Sequence, residues 1–297
     1  MIKFTAYTDI GRKNVNQDAF TVRTAMAGND EIVMAVLCDG MGGECDGDKA
    51  SEDTILAFET WFNNTLPELL KIGNVKTENF SYKNVTLGRM TEEIVTVEIL
   101  GGEEFEEELE VEENALSRDE TIIESLRENV EIQNTKLINY GKKTTRRLGT
   151  TLSSILILRD KIILAHVGDS RIYKLDCNQI QQLTTDHSFV AREVKNGNIT
   201  EEEAKHHPKR NVLTQCIGVS GNANPQLTIL ERLPNTVYLL CSDGFVHENE
   251  EEIMWQLLNP NNGLSEDEIQ NRIVELINNA KNSGEKDNIT AVVVSDT

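Results

Sequence analysis

Short apolar runs rich in β-branched residues recur along the chain: EIVMAVLC, TLSSILIL, KIILAHVG, RIYKL, TVYLLCS and NITAVVVS. Most are followed by turn dipeptides, namely Asp39-Gly40, Arg159-Asp160, Gly168-Asp169 and Asp243-Gly244. Runs this short and so punctuated read as strands. From Thr151 to Thr184 the pattern predicts an antiparallel meander of four strands, with too few helices for a dinucleotide-binding alternation. Two long helices are predicted as well. One covers Lys49 to Leu70 and puts Ile55, Phe58, Trp61 and Phe62 on one face. The other opens on a Ser117 cap with Glu120 three residues on and closes at Gly141. A third, from Ser265, precedes the last strand. The fold class is α+β, with antiparallel sheets packed under helices.

The chain has 297 residues, enough to bury a full core, and a formal net charge of -21. That charge argues against a nucleic-acid or anionic-membrane partner and suits cations. The N-terminal stretch has no apolar run of secretory length, and Arg159, Asp160 and Lys161 interrupt the most apolar segment. The five cysteines are an odd count, and Cys38 and Cys241 lie inside strand-like runs. They read as reduced core residues of a cytoplasmic protein. Cys38 and Cys45 are too widely spaced for a zinc knuckle. Between the first two helices, residues 73–116 form an acidic insertion, predicted as a β-hairpin turning at Gly101-Gly102. It reads as a solvated charged excursion, with an acidic docking surface or lid as the alternative.

Asp39, Asp169 and Asp243 follow apolar strands, and Asp287 precedes one. Any one of these is an ordinary turn residue. Four carboxylates gathered at one sheet edge would repel unless cations neutralised them, and an all-oxygen set suits hard ions, Mg²⁺ or Mn²⁺. Gly40 fits because a residue without a side chain can turn its carbonyl toward an ion. The glycine loop itself lacks the Gly-Lys-Ser/Thr of a Walker A motif, and Cys45 stands where a dinucleotide fingerprint needs glycine. Asp186-His187-Ser188 names the members of a triad, but sequence neighbours cannot relay protons as one. Loop fixation is the expected role, and His206-His207 is expected to be an exposed pair.

These residues carry a resemblance. NVNQDAF, LCDGMGGECDGDKAS, RLGTTLSSILI, LAHVGDSRIY, QLTTDHSFV, HPKRNVLTQCIG, LLCSDGF and KDNITAVVV are similar, in order, to blocks of the metal-dependent protein phosphatase 2C (PPM) family in its compact bacterial form. The match spans nearly everything outside the insertion. It implies a single catalytic domain over 1–297, a central antiparallel β-sandwich flanked by helix pairs in four α-β-β-α layers, and a flap at 187–212. It also implies hydrolysis of phosphoserine and phosphothreonine by a metal-activated hydroxide at a binuclear Mn/Mg centre, with a possible third ion. Position by position, the resemblance implies that Asp39 would bridge the ions, Gly40 would lend its carbonyl, and Asp243 and Asp287 would complete the coordination of the first ion. Asp169 would join Asp243 at the third position, and Asp18 would hold waters. The family's phosphate-gripping arginine falls at Lys13 here, with Arg12 beside it, and a lysine point charge predicts weaker substrate binding. Met41 replaces a histidine of eukaryotic relatives, and Gln215 an arginine near the flap.

The implied partners are phosphorylated proteins, targets of a serine/threonine kinase of the same cell, met by a monomer. Two rival readings remain: a catalytically weak pseudophosphatase binding through the insertion, and a metal-dependent hydrolase of small phosphate esters. Four retained aspartates argue against the first.

Overall fold

The computed structural model describes residues 2–42, 46–71, 83–86, 89–91, 116–219 and 221–297. The predicted hairpin at Gly101-Gly102 lies outside them. The strands, in chain order, are β1 (Lys3–Asp9), β2 (Asp18–Ala27), β3 (Asp30–Met41), β4 (Lys83–Thr86), β5 (Arg89–Thr91), β6 (Gly149–Thr150) and β7 (Leu152–Ile157). They continue with β8 (Lys161–Val167), β9 (Arg171–Leu175), β10 (Ile180–Gln182), β11 (Gln226–Glu231), β12 (Thr236–Cys241) and β13 (Ile289–Asp296). The helices are α1 (Gly47–Thr60), α2 (Leu66–Lys71), α3 (Arg118–Thr144), α4 (Phe189–Lys195), α5 (Glu201–Lys205), α6 (Asp243–Val246), α7 (Glu251–Leu258) and α8 (Glu266–Ser283).

Two antiparallel sheets result, ordered β1-β13-β12-β9-β10 and β11-β8-β7-β3-β2-β4-β5, with β6 pairing β3 off that path. Alternation along the strands explains the layering. On β2 and β3, Phe20, Val22, Val33, Ala35 and Leu37 face Ile172, Tyr238, Leu240, Val292 and Val294 of the other sheet. The intervening residues, Ala19, Ala25, Met34 and Val36, pack under Phe58, Phe62, Leu126 and Val130 of the α1/α3 side. Behind the second sheet, α7 and α8 bury Met254, Leu258, Ile273 and Ile277 against Tyr173, Leu239 and Val293. The α+β class and helix-flanked antiparallel sheets match the sequence reading.

Three local expectations change. The meander is two hairpins in different sheets: β7 pairs β8 and β9 pairs β10, and the chain crosses between sheets at Gly168–Ser170. Gly168 makes that crossing possible, with φ 114° and Thr151 Cγ2 only 2.5 Å from where a Cβ would stand. The first helix is interrupted by a π-turn at Trp61–Thr65. Pro67 has no N–H to donate four residues back to Asn63, which is where the ladder slips. The second helix keeps its predicted Ser117–Glu120 capping box but runs past Gly141 to Thr144, where Thr145 turns left-handed (φ 55°) and donates its N–H to the Gly141 carbonyl.

Candidate metal centre

A two-residue turn sets the first pair of site residues. Ala27 and Asp30 pair across Gly28-Asn29, with Gly28 at φ 63°, and the ladder runs from there to Asp18 opposite Asp39. Asp39 is then fixed through its backbone. Its N–H donates to Thr151 Oγ1 at 2.9 Å, and its carbonyl accepts from Thr151 N at 2.9 Å and Thr150 Oγ1 at 3.0 Å. Gly40 follows, but its lack of a side chain answers to packing. A Cβ there would stand 2.1 Å from the Gly47 carbonyl oxygen and 2.6 Å from that of Gln17. Close approach of the α1 N-terminus, more than a free carbonyl, is what demands glycine.

The other three aspartates arrive from the second sheet and the seam. Asp169 sits in the crossing after Gly168. Asp243 is the first residue of α6, directly after β12. Asp287 precedes β13, its N–H donating to Glu285 Oε1 at 2.9 Å. The structure brings Asp18, Asp169, Asp243 and Asp287 into the field of Asp39. Burial first, then Asp18, Asp243, Asp169 and Asp287, push the Asp39 carboxyl well above its ordinary range. Burial and the Asp243 charge raise Asp18 to about 7, although the Thr290 hydroxyl stabilises its anion. Burial, Asp243 and Asp186 raise Asp169 to about 8. Burial also raises Asp243, against the opposing pull of His247. Asp39, Asp169 and Asp243 are half-buried and Asp18 is 4% exposed.

Asp18 Oδ2 accepts from Thr290 Oγ1 at 2.6 Å, Thr290 and Thr8 share a hydroxyl contact at 2.7 Å, and Asn16 Nδ2 donates to Thr8. Its Oδ1, and Asp243 Oδ1, are buried with no hydrogen-bond partner. Two buried carboxylate oxygens without donors are costly unless a cation meets them. That observation, with an all-oxygen donor set, fits hard divalent ions. Among the described residues, no three His, Cys, Asp or Glu side chains close on one point as a finished cage.

At the rim, Lys13 Nζ lies 2.9 Å from Asp287 Oδ1 and 3.0 Å from Oδ2. Partial burial opposes its charge, but Asp287, with Asp39 and Asp243 behind it, raises Lys13 above the ordinary lysine value. Arg12 is exposed and donates only its backbone N–H, to the Lys286 carbonyl. Of the two predicted phosphate-binding cations, only Lys13 is turned onto the carboxylates. Sequence reasoning missed His247, whose Nδ1 meets Glu285 Oε2 at 3.3 Å. That bond raises His247 and holds Glu285 down at about 2, with the Asp243 and Asp169 carboxylates adding to the rise in His247. It also missed Thr290 and Thr8; the register match of these two hydroxyls across β1 and β13 is visible only in the fold.

The neighbouring loop residues hold structure, as expected. Asp186 binds Arg171 bidentately, His187 takes the Gly168 N–H and the Gln215 amide, and Ser188 caps α4. Gln215 therefore ties His187 to the Asn224 backbone. The expected exposed pair is only half so: His206 is exposed, but His207 stacks on Phe189 with ring centroids 5.5 Å apart.

Comparison with known proteins gives the same frame. A family described as Protein phosphatase 2C matches residues 7–290. The serine/threonine phosphatase stp of Listeria welshimeri is 32% identical over 185 residues, 62% of this chain and 71% of its own length. The solved S. agalactiae serine/threonine phosphatase superposes with a TM-score of 0.71 and 27% identity, covering 100% of both chains. The catalytic domain of the serine/threonine protein phosphatase PstP, solved in complex with two manganese ions, superposes at 0.66 with 24% identity, over 99% of this chain and 97% of that one.

Proposed function

The chain belongs to the protein phosphatase 2C family and is a metal-dependent serine/threonine protein phosphatase of the bacterial type, and we propose that its reaction is carried by the carboxylates at the seam of the two sheets. Asp39, the Gly40 carbonyl, Asp243 and Asp287 would hold two Mn²⁺ or Mg²⁺ ions, with Asp169 and Asp243 available to a third and Asp18 behind them orienting water. When bound, such ions supply water acidic enough to attack phosphorus near neutral pH and screen the charge of the phosphate. The observation that carries this assignment is the pair of buried, unpartnered oxygens on Asp18 and Asp243.

The chain's own residues do the positioning. Thr150 and Thr151 clamp the Asp39 backbone, so its side chain projects from a fixed point. Thr290 keeps one oxygen of Asp18 occupied and leaves the other directed at the site. Lys13, resting on Asp287, is placed to take a phosphate oxygen of the substrate as a point charge. The substrates are phosphorylated proteins, targets of a serine/threonine kinase of the same cell, handled by one catalytic domain over 1–297 acting as a monomer in the cytoplasm. The segment 187–212, with α4 and α5, serves as a flap, anchored by the backbone bridge between Ser188 and Leu213. Among the described residues no helix is long and apolar enough to cross a membrane.

The test is turnover of a phosphothreonine peptide by chelator-treated protein titrated with Mn²⁺, wild type beside Asp243→Asn. Metal-dependent turnover lost in the variant is expected. Turnover indifferent to chelator, or retained by Asp243→Asn, would remove the carboxylates from the reaction.

A further inference from the structure

From Ile132 to Arg159, and again from Ala204 to Leu230, the chain has no aspartate or glutamate, although it holds 50 of them in all. The two stretches meet in space. Thr150 and Ile217 exchange backbone hydrogen bonds at 2.9 Å in each direction. Asn134 accepts from Gly218 N at 2.8 Å and donates to the Gly221 carbonyl at 2.9 Å. This acid-free seam lies directly behind the site, since Thr150 and Thr151 are the residues that clamp Asp39.

Its cations concentrate where α3 ends. Lys142, Lys143 and Arg147 are exposed, and among the described residues none of the three has an ion pair or side-chain hydrogen bond. Arg146 between them is held, with both Asp46 oxygens 2.6 Å from Nη1. Asp46 begins the turn into α1, so this bond ties the cluster to the loop that leaves Asp39 and Gly40. Arg147 is two residues from Gly149, which pairs with Met41, itself two residues beyond Asp39. Two residues span at most about 7 Å. Cations in the last turn of a helix suit its dipole, which accounts for Lys142 and Lys143 but not for Arg147, which lies past the left-handed Thr145. On the acid-free stretch of the other partner, Arg210 is likewise exposed with no side-chain partner among the described residues.

We propose that Lys142, Lys143 and Arg147 form a docking surface for a segment rich in aspartate and glutamate that adjoins the phosphorylated residue of a protein substrate. The proposal rests on the phosphatase reading above and adds a preference to it. The connection from Arg147 through the Gly149–Met41 pair to Asp39 bounds their separation at about 20 Å. An extended peptide at about 3.3 Å per residue spans that in about six residues, so acidic residues up to about six positions from the phosphoresidue lie within reach of this cluster while the phosphate lies at the carboxylate site. A long polyanion fits less well, because a net charge of -21 surrounds the positive island.

The experiment compares three phosphothreonine peptides: one flanked by glutamates, one with glutamines in their place, and one with a second phosphothreonine in place of the glutamates. Each is assayed for KM and kcat and, with a fluorescent label, for direct binding by anisotropy. Wild type is set beside the triple variant Lys142→Ala, Lys143→Ala, Arg147→Ala, with p-nitrophenyl phosphate as the flank-free control. The glutamate peptide should show a KM about tenfold below the glutamine peptide in wild type, three rim charges each contributing a modest factor. The triple variant and 0.5 M salt should each erase that difference, with kcat and p-nitrophenyl phosphate turnover unchanged. Equal KM and binding for the first two peptides, a preference that survives in the triple variant, or a preference confined to the second phosphate would each overturn the proposal. A chain that bound the glutamate peptide through these cations yet hydrolysed nothing with Mn²⁺ would sink the phosphatase reading and leave this surface standing.

Discussion

Strand β2 carries two kinds of buried charge on its two faces. Arg23 points toward α1, where its Nη2 lies 2.7 Å from Glu59 Oε2, and Thr21 donates to the other glutamate oxygen at 2.7 Å. Five residues earlier and on the opposite face, Asp18 looks into the seam between the sheets with one oxygen unpartnered. The first pair is matched in charge, although Arg23 Nε is also buried with no hydrogen-bond partner, so it is the sign of the neighbouring charges that sets the two apart. The second is a carboxylate set among other carboxylates. A buried ion pair with its oxygens satisfied is neutral to its surroundings, whereas a gathering of like charges costs stability and persists where function requires it. The contrast separates scaffold from site without reference to any relative.

The largest effect that sharpens the contrast is on catalysis. Asp39→Asn should lower kcat/KM by roughly 1,000-fold, about 4 kcal/mol of transition-state stabilisation, with the circular dichroism spectrum unchanged. Retained activity would put Asp39 with the scaffold. Next comes the matched pair. Glu59→Ala leaves Arg23 buried without its partner and should cost about 3 kcal/mol in urea unfolding, with the kcat of the folded fraction unaltered. A loss below about 1 kcal/mol would show that the pair is solvated.

A third test uses pH. His166 is 0% exposed, with Nδ1 on Ser153 at 3.1 Å, and it faces His187 and Asp186. Burial, then the neighbouring His187, lower it to about 4 from an ordinary 6.5. Above pH 6.5 both folded and unfolded chains hold it neutral, and its contribution is complete. As pH falls from 6.5 toward 4 the unfolded chain takes the proton first, so stability drops, by about 3 kcal/mol at the limit. His166→Asn should flatten that part of the pH–stability curve; an unchanged slope would show that His166 is protonated in the fold. The smallest effect belongs to the rim. Lys13→Met should raise KM for a phosphopeptide about fivefold with kcat within about twofold, and an unchanged KM would leave phosphate binding to Arg12.

Much of this site was legible in the sequence because its four aspartates sit where apolar strands end, and strand ends are easy to see. The hairpin that sets Asp18 against Asp39 across Gly28-Asn29 was not read from the sequence, because β2 mixes Thr21, Arg23 and Thr24 into its apolar residues and lacks the continuous apolar run of β3. The crossing at Gly168 was not legible either. A tight turn and a jump between sheets carry the same Gly-Asp signature, and only the clash a side chain would make with Thr151 tells them apart. Nor could sequence spacing show His247 on Glu285, or Thr8 against Thr290, since those contacts join distant parts of the chain. Gly40 was read for its carbonyl, whereas what the fold shows is a packing need, the backbone of Gly47 2.1 Å from where a Cβ would stand.

The most direct measurement is the melting temperature of wild type and Asp243→Asn, each with chelator and with saturating Mn²⁺. If the clustered carboxylates are held against their own repulsion for the sake of cations, Asp243→Asn should melt higher than wild type in chelator, by a few degrees for about 1 kcal/mol. Mn²⁺ should raise the wild type strongly and the variant little. A variant that melts lower in chelator, with the Mn²⁺ shift intact, would show that Asp243 belongs with Arg23 and Glu59 as scaffold, contradicting the account.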